Sequence, residues 1–195
     1  MRERIEICRG DITRVEVDAI VNAANTSLLG GGGVVGDIHR EAGPGLVQEC
    51  RRLNGCATGS AEITDAYELP AKRVIHAVGP IWRDGTSGEA DQLANTYRAC
   101  FRLLREHSLI SAAFPCISTG AYRFPIPEAS RIALREACRA LQENVLLRRV
   151  LFVCFDDDNR RAYEDAVEEH RGRRSRLKRF FGFPKKDFSF ALVAK

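Results

Sequence analysis

Short apolar runs of strand length alternate with longer helix-patterned windows along most of the chain. This alternation restricts the fold to an α/β domain with helices laid on the faces of a sheet. Ile5, Ile7 and Cys8, Asp18 to Val21, Ala61 to Thr64, Arg73 to Val78, Ser111 to Phe114 and Arg149 to Phe155 predict six strands. Helical windows fall at about 36–52, 91–107, 127–142 and 158–169. In the third, Ile132, Ala133, Ala137, Ala140 and Leu141 recur at helical spacing, an apolar face to lay on the sheet, while Arg131, Arg135, Glu136 and Arg139 are left largely to water. Pro125 and Pro127 mark where that helix starts.

With 195 residues, 45% of them hydrophobic, the chain is large enough for one substantial core. Nothing divides residues 1–169, so these are expected to form one domain. The charge changes after that point. Residues 1–169 carry 21 Lys and Arg against 25 Asp and Glu, whereas residues 170–195 carry 9 against 1. A basic tail that also holds Phe180, Phe181 and Phe183 is too aromatic to be purely solvated. It is expected to dock on the domain or to meet a polyanion or a protein partner through residues 171–186. No run approaches the ~20 apolar residues of a membrane helix, and a cytoplasmic protein without a membrane span is expected. Seven cysteines without a CxxC pair imply reduced thiols, and four scattered histidines offer no ligand spacing, so no metal is expected.

The strongest local signal is the stretch from Asn22 to Gly36, with four consecutive glycines at Gly30 to Gly33 between a strand and a helix. Without Cβ atoms the backbone amides can converge on an anion, and the helix N-terminus behind them adds its positive end. No Gly-Lys-Ser/Thr follows, which excludes a Walker loop, and the spacing is not that of a GxGxxG fingerprint. Ser118-Thr119-Gly120-Ala121-Tyr122 follows another strand; alone it is an ordinary turn, but paired with the first loop it can close on one diphosphate. Asp11 follows the first strand and fits either an acceptor for an exocyclic amine or a local cap. Phe155 fits either a ring face for a base or a core residue. The aspartates 156, 157 and 158 lack the spacing of a calcium loop and read as a helix cap.

Together these segments resemble the macrodomain family, and in particular its MacroD-type branch of O-acetyl-ADP-ribose deacetylases and mono-ADP-ribosyl hydrolases. The likeness runs from residue 5 to 167. It is carried by Arg9-Gly10-Asp11-Ile12-Thr13, Asp18 to Asn25, the glycine run to His39, Ala42 to Leu46, His76 to Pro80 and Ile117 to Gly120. The resemblance implies a three-layer α/β/α sandwich with a mixed six-stranded sheet, ADP-ribose or its O-acetyl or protein-linked derivatives as ligand, and no cofactor or metal. Asp11 and Ile12 would meet adenine, with Phe155 near the adenosine end. Ala23 and Asn25 would line the distal ribose, Gly31, Gly32, Gly33 and Val34 would face Ser118 to Tyr122 across the diphosphate, and Asn25 and His39 would lie near the reacting end. One departure stands out: where the family has Val-Asp-Gly after the glycines, this chain has Val34-Val35-Gly36, so hydrocarbon replaces the catalytic carboxylate. On a helix Asp37 points about 200° away from position 35, whereas His39 shares the face of Val35. The expected activity is therefore that of an impaired hydrolase, with a non-catalytic ADP-ribose reader as the alternative.

Overall fold

The computed structural model describes residues 4–181 and 190–192, with side chains through residue 172. The six expected strands are present as β1 (Ile5–Arg9), β2 (Val17–Ala23), β3 (Ser60–Asp65), β4 (Ala71–Val78), β5 (Ser111–Phe114) and β6 (Arg149–Cys154). Among the described residues five helices accompany them: α1 (Val34–Ala42), α2 (Pro44–Leu53), α3 (Glu89–Glu106), α4 (Ile126–Glu143) and α5 (Asp157–Phe181). A 3-10 turn at Ile12–Arg14 follows β1.

Three outcomes differ from the sequence pattern. The single helix expected over 36–52 is two, because Gly43 takes φ 76° and Pro44 opens α2. The residue before a proline resists the helical region, and a Cβ at Gly43 would stand 2.6 Å from Glu68 Oε1. The last helix runs on to Phe181, so the change in charge balance after residue 169 falls inside α5. A short β7 (Phe190–Leu192) also adds a seventh strand beside β1. The proposed polyanion contact lies largely on side chains outside the described residues.

The sheet order is β3-β4-β2-β5-β6-β1-β7. Among the described residues only β3 runs antiparallel, against β4, so the carboxyl ends of β1, β2, β4, β5 and β6 open at one edge. Central strands are apolar on both faces, as strands sandwiched between helices must be. In β6, Val150, Phe152 and Cys154 join the core beneath α3, α4 and α5, while Leu151 and Val153 face the layer of α1 and α2. The opposite end of the sheet is latched by Asp18, whose Oδ2 accepts from the Ile110 and Ser111 amides at 2.7 and 3.2 Å. Glu136, buried between α3 and α4, is held by Arg98 and Arg135. Among the described residues no helix is long and apolar enough to cross a membrane.

Candidate functional site

Beyond the open strand ends lies a cleft of about 1060 Å³, the position where open α/β sheets take ligands. Two loops frame it. The first leaves β2 and is folded by Asn25. The Asn25 Nδ2 donates to the Gly30 carbonyl at 2.8 Å, while Oδ1 accepts from the Ser27 amide and hydroxyl at 3.0 and 2.7 Å. Gly33 takes φ 62° and leads into α1, where its carbonyl accepts from Asp37 N at 3.1 Å. A Cβ on Gly36 would stand 2.7 Å from the Gly31 carbonyl oxygen, so the first helical turn rests directly on the loop backbone.

The second loop leaves β5. Ser118 sits at φ 68°, a left-handed conformation that a non-glycine residue holds only when its surroundings over-determine it. Phe124 N donates to the Ser118 carbonyl at 3.0 Å and Arg123 N to the Gly120 carbonyl at 2.9 Å. Gly79, at the end of β4, presses so closely on Ser118 and Ile117 that no Cβ fits. The Ser118 hydroxyl is buried and has no hydrogen-bond partner within the protein. Such a group invites a ligand acceptor.

Asp11, Ile12, Ala23, Asn25, Gly31, Gly32, Gly33, Val34, Val35, Ser118, Thr119, Gly120, Ala121, Tyr122 and Phe155 all line this cleft. Asp11 is a local cap at the cleft margin. Its Oδ1 accepts from Thr13 Oγ1 at 2.6 Å and Thr13 N at 2.9 Å, which lowers its pKa, while the side chain remains half exposed at the cleft margin. Phe155 is 87% exposed, which excludes a core role. Val35 is nearly buried in the cleft wall.

His39 is not among the lining residues. One helical turn beyond Val35 carries its side chain out of the cleft and under it, where its ring lies 6.2 Å from that of His76 and burial lowers its pKa. Asp37, on the other side of α1, does line the cleft, paired with Arg40 at 2.9 Å. The positive charge of Arg40 adds a small share to the lowering of the Asp11 pKa. Sequence reasoning missed Arg40, Cys116, Asp156 and Asn159 as lining residues. Asn159 was legible in part: Asp156 accepts its amide at 2.8 Å as an N-terminal cap, and Asn159 Oδ1 in turn accepts from Thr119 Oγ1 at 2.8 Å, so the cap braces the second loop. All seven cysteines are unbridged.

A sequence profile described as Macro domain matches residues 21–133, more than half of the chain. The chain belongs to the Macro domain family. This macrodomain is 51% identical over 171 residues to human "ADP-ribose glycohydrolase MACROD2", covering 87% of the present chain and 40% of that protein. It is 46% identical over 168 residues to the "O-acetyl-ADP-ribose deacetylase" of Shigella flexneri, covering 84% and 95% of the two chains. The macrodomain of Trypanosoma brucei, solved in complex with ADP-ribose, superposes with a TM-score of 0.79 at 45% identity, covering 84% of this chain and 69% of that one. The macrodomain thus has MacroD-type hydrolases and deacetylases as relatives.

Proposed function

We propose that this macrodomain binds ADP-ribose, free or as its O-acetyl or protein-linked derivatives, and that it hydrolyses the bond at the distal ribose only slowly. The carrying observation is the pair of loops, glycine-rich on one side and strained at Ser118 on the other, that face one another across the cleft. In this reading the amides of Gly31 to Val34, the N-terminus of α1 and the Ser118 hydroxyl hold the diphosphate. Asp11 and Ile12 receive adenine, Phe155 offers it a ring face, and Ala23 and Asn25 border the distal ribose.

The slow rate follows from Val35. Hydrolysis adds water across the ester or glycosidic bond and releases ADP-ribose, and a positioned base typically contributes ~10²–10⁴-fold to such a step. A valine neither accepts the proton of that water nor orients it. Asp37 is engaged with Arg40 and His39 stands outside the cleft, so neither takes over. The phosphate cradle needs no carboxylate at position 35, which favours a reader of ADP-ribose over an efficient enzyme.

Calorimetric binding of ADP-ribose and product release from O-acetyl-ADP-ribose, compared between the parent and Val35→Asp, test both parts. Binding is expected in both proteins, with turnover at least tenfold higher in the variant. Equal turnover would defeat the missing-base account, and no binding at millimolar nucleotide would defeat the whole reading.

A further inference from the structure

A second concavity lies away from the cleft, a groove of about 240 Å³ between α3 and α4. From α3 it takes Arg98, Phe101, Arg102 and Arg105, which follow i, i+3, i+4, i+7 spacing, the stripe that a helix turns toward one neighbour. The same spacing from Glu136 to Glu143 walls the α4 side, with Arg139 inside it. Ile126 opens α4 at the cleft, whereas Asn144 follows the last turn at the groove, ~27 Å further along the axis. The two concavities are separate.

Positive charge in the groove exceeds what its acids balance. Glu136 is taken up by Arg98 and Arg135. Arg102 pairs with Glu106 on its own helix and Arg139 with Glu143 on its own, both at the exposed surface, where such pairs hold weakly and exchange readily for a better acceptor. Among the described residues Arg105 has no acid partner. One guanidinium is left over.

Asn144 supplies an independent observation. It is only 8% exposed, and its Oδ1 accepts from the Leu146 amide at 3.0 Å, which fixes the orientation of the side-chain amide. Its Nδ2 is buried and finds no acceptor in the protein. A donor left in that state costs free energy unless an acceptor is brought to it. The Asn144 carbonyl is already engaged by Arg4, whose pKa is lowered by burial and by the positive charge of Arg148. Cations crowd this end of the groove.

A matching ligand is small, anionic and rich in acceptors. A phosphate group meets all three conditions, since its oxygens accept from several guanidinium forks and an amide at once. The volume suits a phosphate carrying little else, in contrast to the 1060 Å³ of the cleft.

We propose that the α3–α4 groove binds a phosphate group, free or as a small phosphate monoester, through Arg102, Arg105, Arg139 and the Asn144 side-chain amide. The anion takes the place of Glu106 and Glu143 on the two paired arginines and ties together the C-terminal halves of α3 and α4. This assignment is independent of the ligand in the cleft.

Nuclear magnetic resonance of the nitrogen-labelled full chain tests it, with arginine Nε–Hε and asparagine side-chain signals followed at constant ionic strength and with ADP-ribose in excess. Inorganic phosphate and glycerol phosphate are the two probes. Saturable shifts at Arg102, Arg105, Arg139 and Asn144 in the millimolar range are expected, and the probe that binds more tightly identifies the source as free ion or monoester. In Arg105→Ala, which breaks no pair within the protein, affinity falls at least tenfold. In Asn144→Asp, which keeps the acceptor for Leu146 and replaces the unpartnered donor by a carboxylate oxygen, it falls at least as far. Absence of saturation at high millimolar phosphate overturns the proposal, and so does equal affinity for acetate, which would make the groove a carboxylate site. Shifts confined to the glycine loop and Ser118 would put the phosphate in the cleft alone and overturn it as well. Should circular dichroism show Asn144→Asp unfolded, Arg105→Ala decides, and affinity there within twofold of the parent overturns the site. Failure of ADP-ribose binding registers at the loop amides and not at Arg105, so the two readings fail separately.

Discussion

Replacing Gly36 with alanine introduces one methyl group into the seam between α1 and the glycine loop. The new Cβ would stand 2.7 Å from the Gly31 carbonyl oxygen, against an ordinary contact of 3.4 Å or more, so backbone must yield by roughly 0.7 Å. Overpacking of this kind costs ~1–3 kcal/mol, and the better helix propensity of alanine returns ~1 kcal/mol. The expected loss of stability is therefore small, about 0–2 kcal/mol. The effect on binding should be larger, because the displaced backbone carries the amides proposed to grip the diphosphate. Losing one charge-assisted hydrogen bond costs ~1.5–3 kcal/mol, which weakens binding about ten- to a hundredfold. Urea denaturation and ADP-ribose calorimetry measure the two terms separately. Gly32→Ala is the stability control: its Cβ meets nothing within 4 Å, and stability should stay within ~0.5 kcal/mol of the parent. A Gly36→Ala protein that binds ADP-ribose within twofold of the parent would refute the argument that this seam shapes the cradle.

Three further outcomes follow from the same geometry. Ser118→Ala is expected to leave stability unchanged or raise it by up to ~1 kcal/mol, since it removes a buried hydroxyl without a protein partner, while weakening ADP-ribose binding; unchanged affinity would exclude that hydroxyl from the site. Phe155→Ala should not alter stability by more than ~0.5 kcal/mol at so exposed a position, yet loss of ring stacking should cost about three- to tenfold in affinity by calorimetry. Asp18 and Glu136 govern the acid limit. Burial pushes both carboxyls up, but Lys72 with the Ile110 and Ser111 amides on one, and Arg98 with Arg135 on the other, hold them below the usual carboxylate range. Because the folded values lie below the unfolded ones, near ~4, this stabilisation is complete above that pH and is lost as pH falls through the folded values. Urea midpoints should drop between pH 5 and 3, and Asp18→Asn should flatten part of that drop. An identical slope in the variant would remove Asp18 from the acid response.

The sheet was legible because its signal is local: a buried parallel strand must be apolar on both faces, and β2, β4 and β6 show that in their residues alone. The cleft loops were legible for a related reason, since glycines and small residues after strands report backbone approach directly. His39 was harder. Its identity suggested chemistry, but whether a side chain one turn into α1 faces the cleft or the core depends on where that helix begins relative to the sheet. Arg40 was missed because an arginine on a surface helix has no distinguishing pattern. Neither the juxtaposition of His39 and His76 nor the brace from Thr119 to Asn159 appears in any spacing, because each joins elements that meet only in the folded sheet.

The continuity of α5 sets a length scale. Asn159 touches the second loop and Arg171 opens the cationic run on the same helix. At 1.5 Å per residue these two positions are about 18 Å apart. That is roughly twice the ~8 Å over which physiological salt damps a charge, but well inside the ~30 Å of dilute buffer. At physiological ionic strength the cleft is electrostatically deaf to the cations beyond it; only in near-saltless solution does their pull reach a nucleotide seated there.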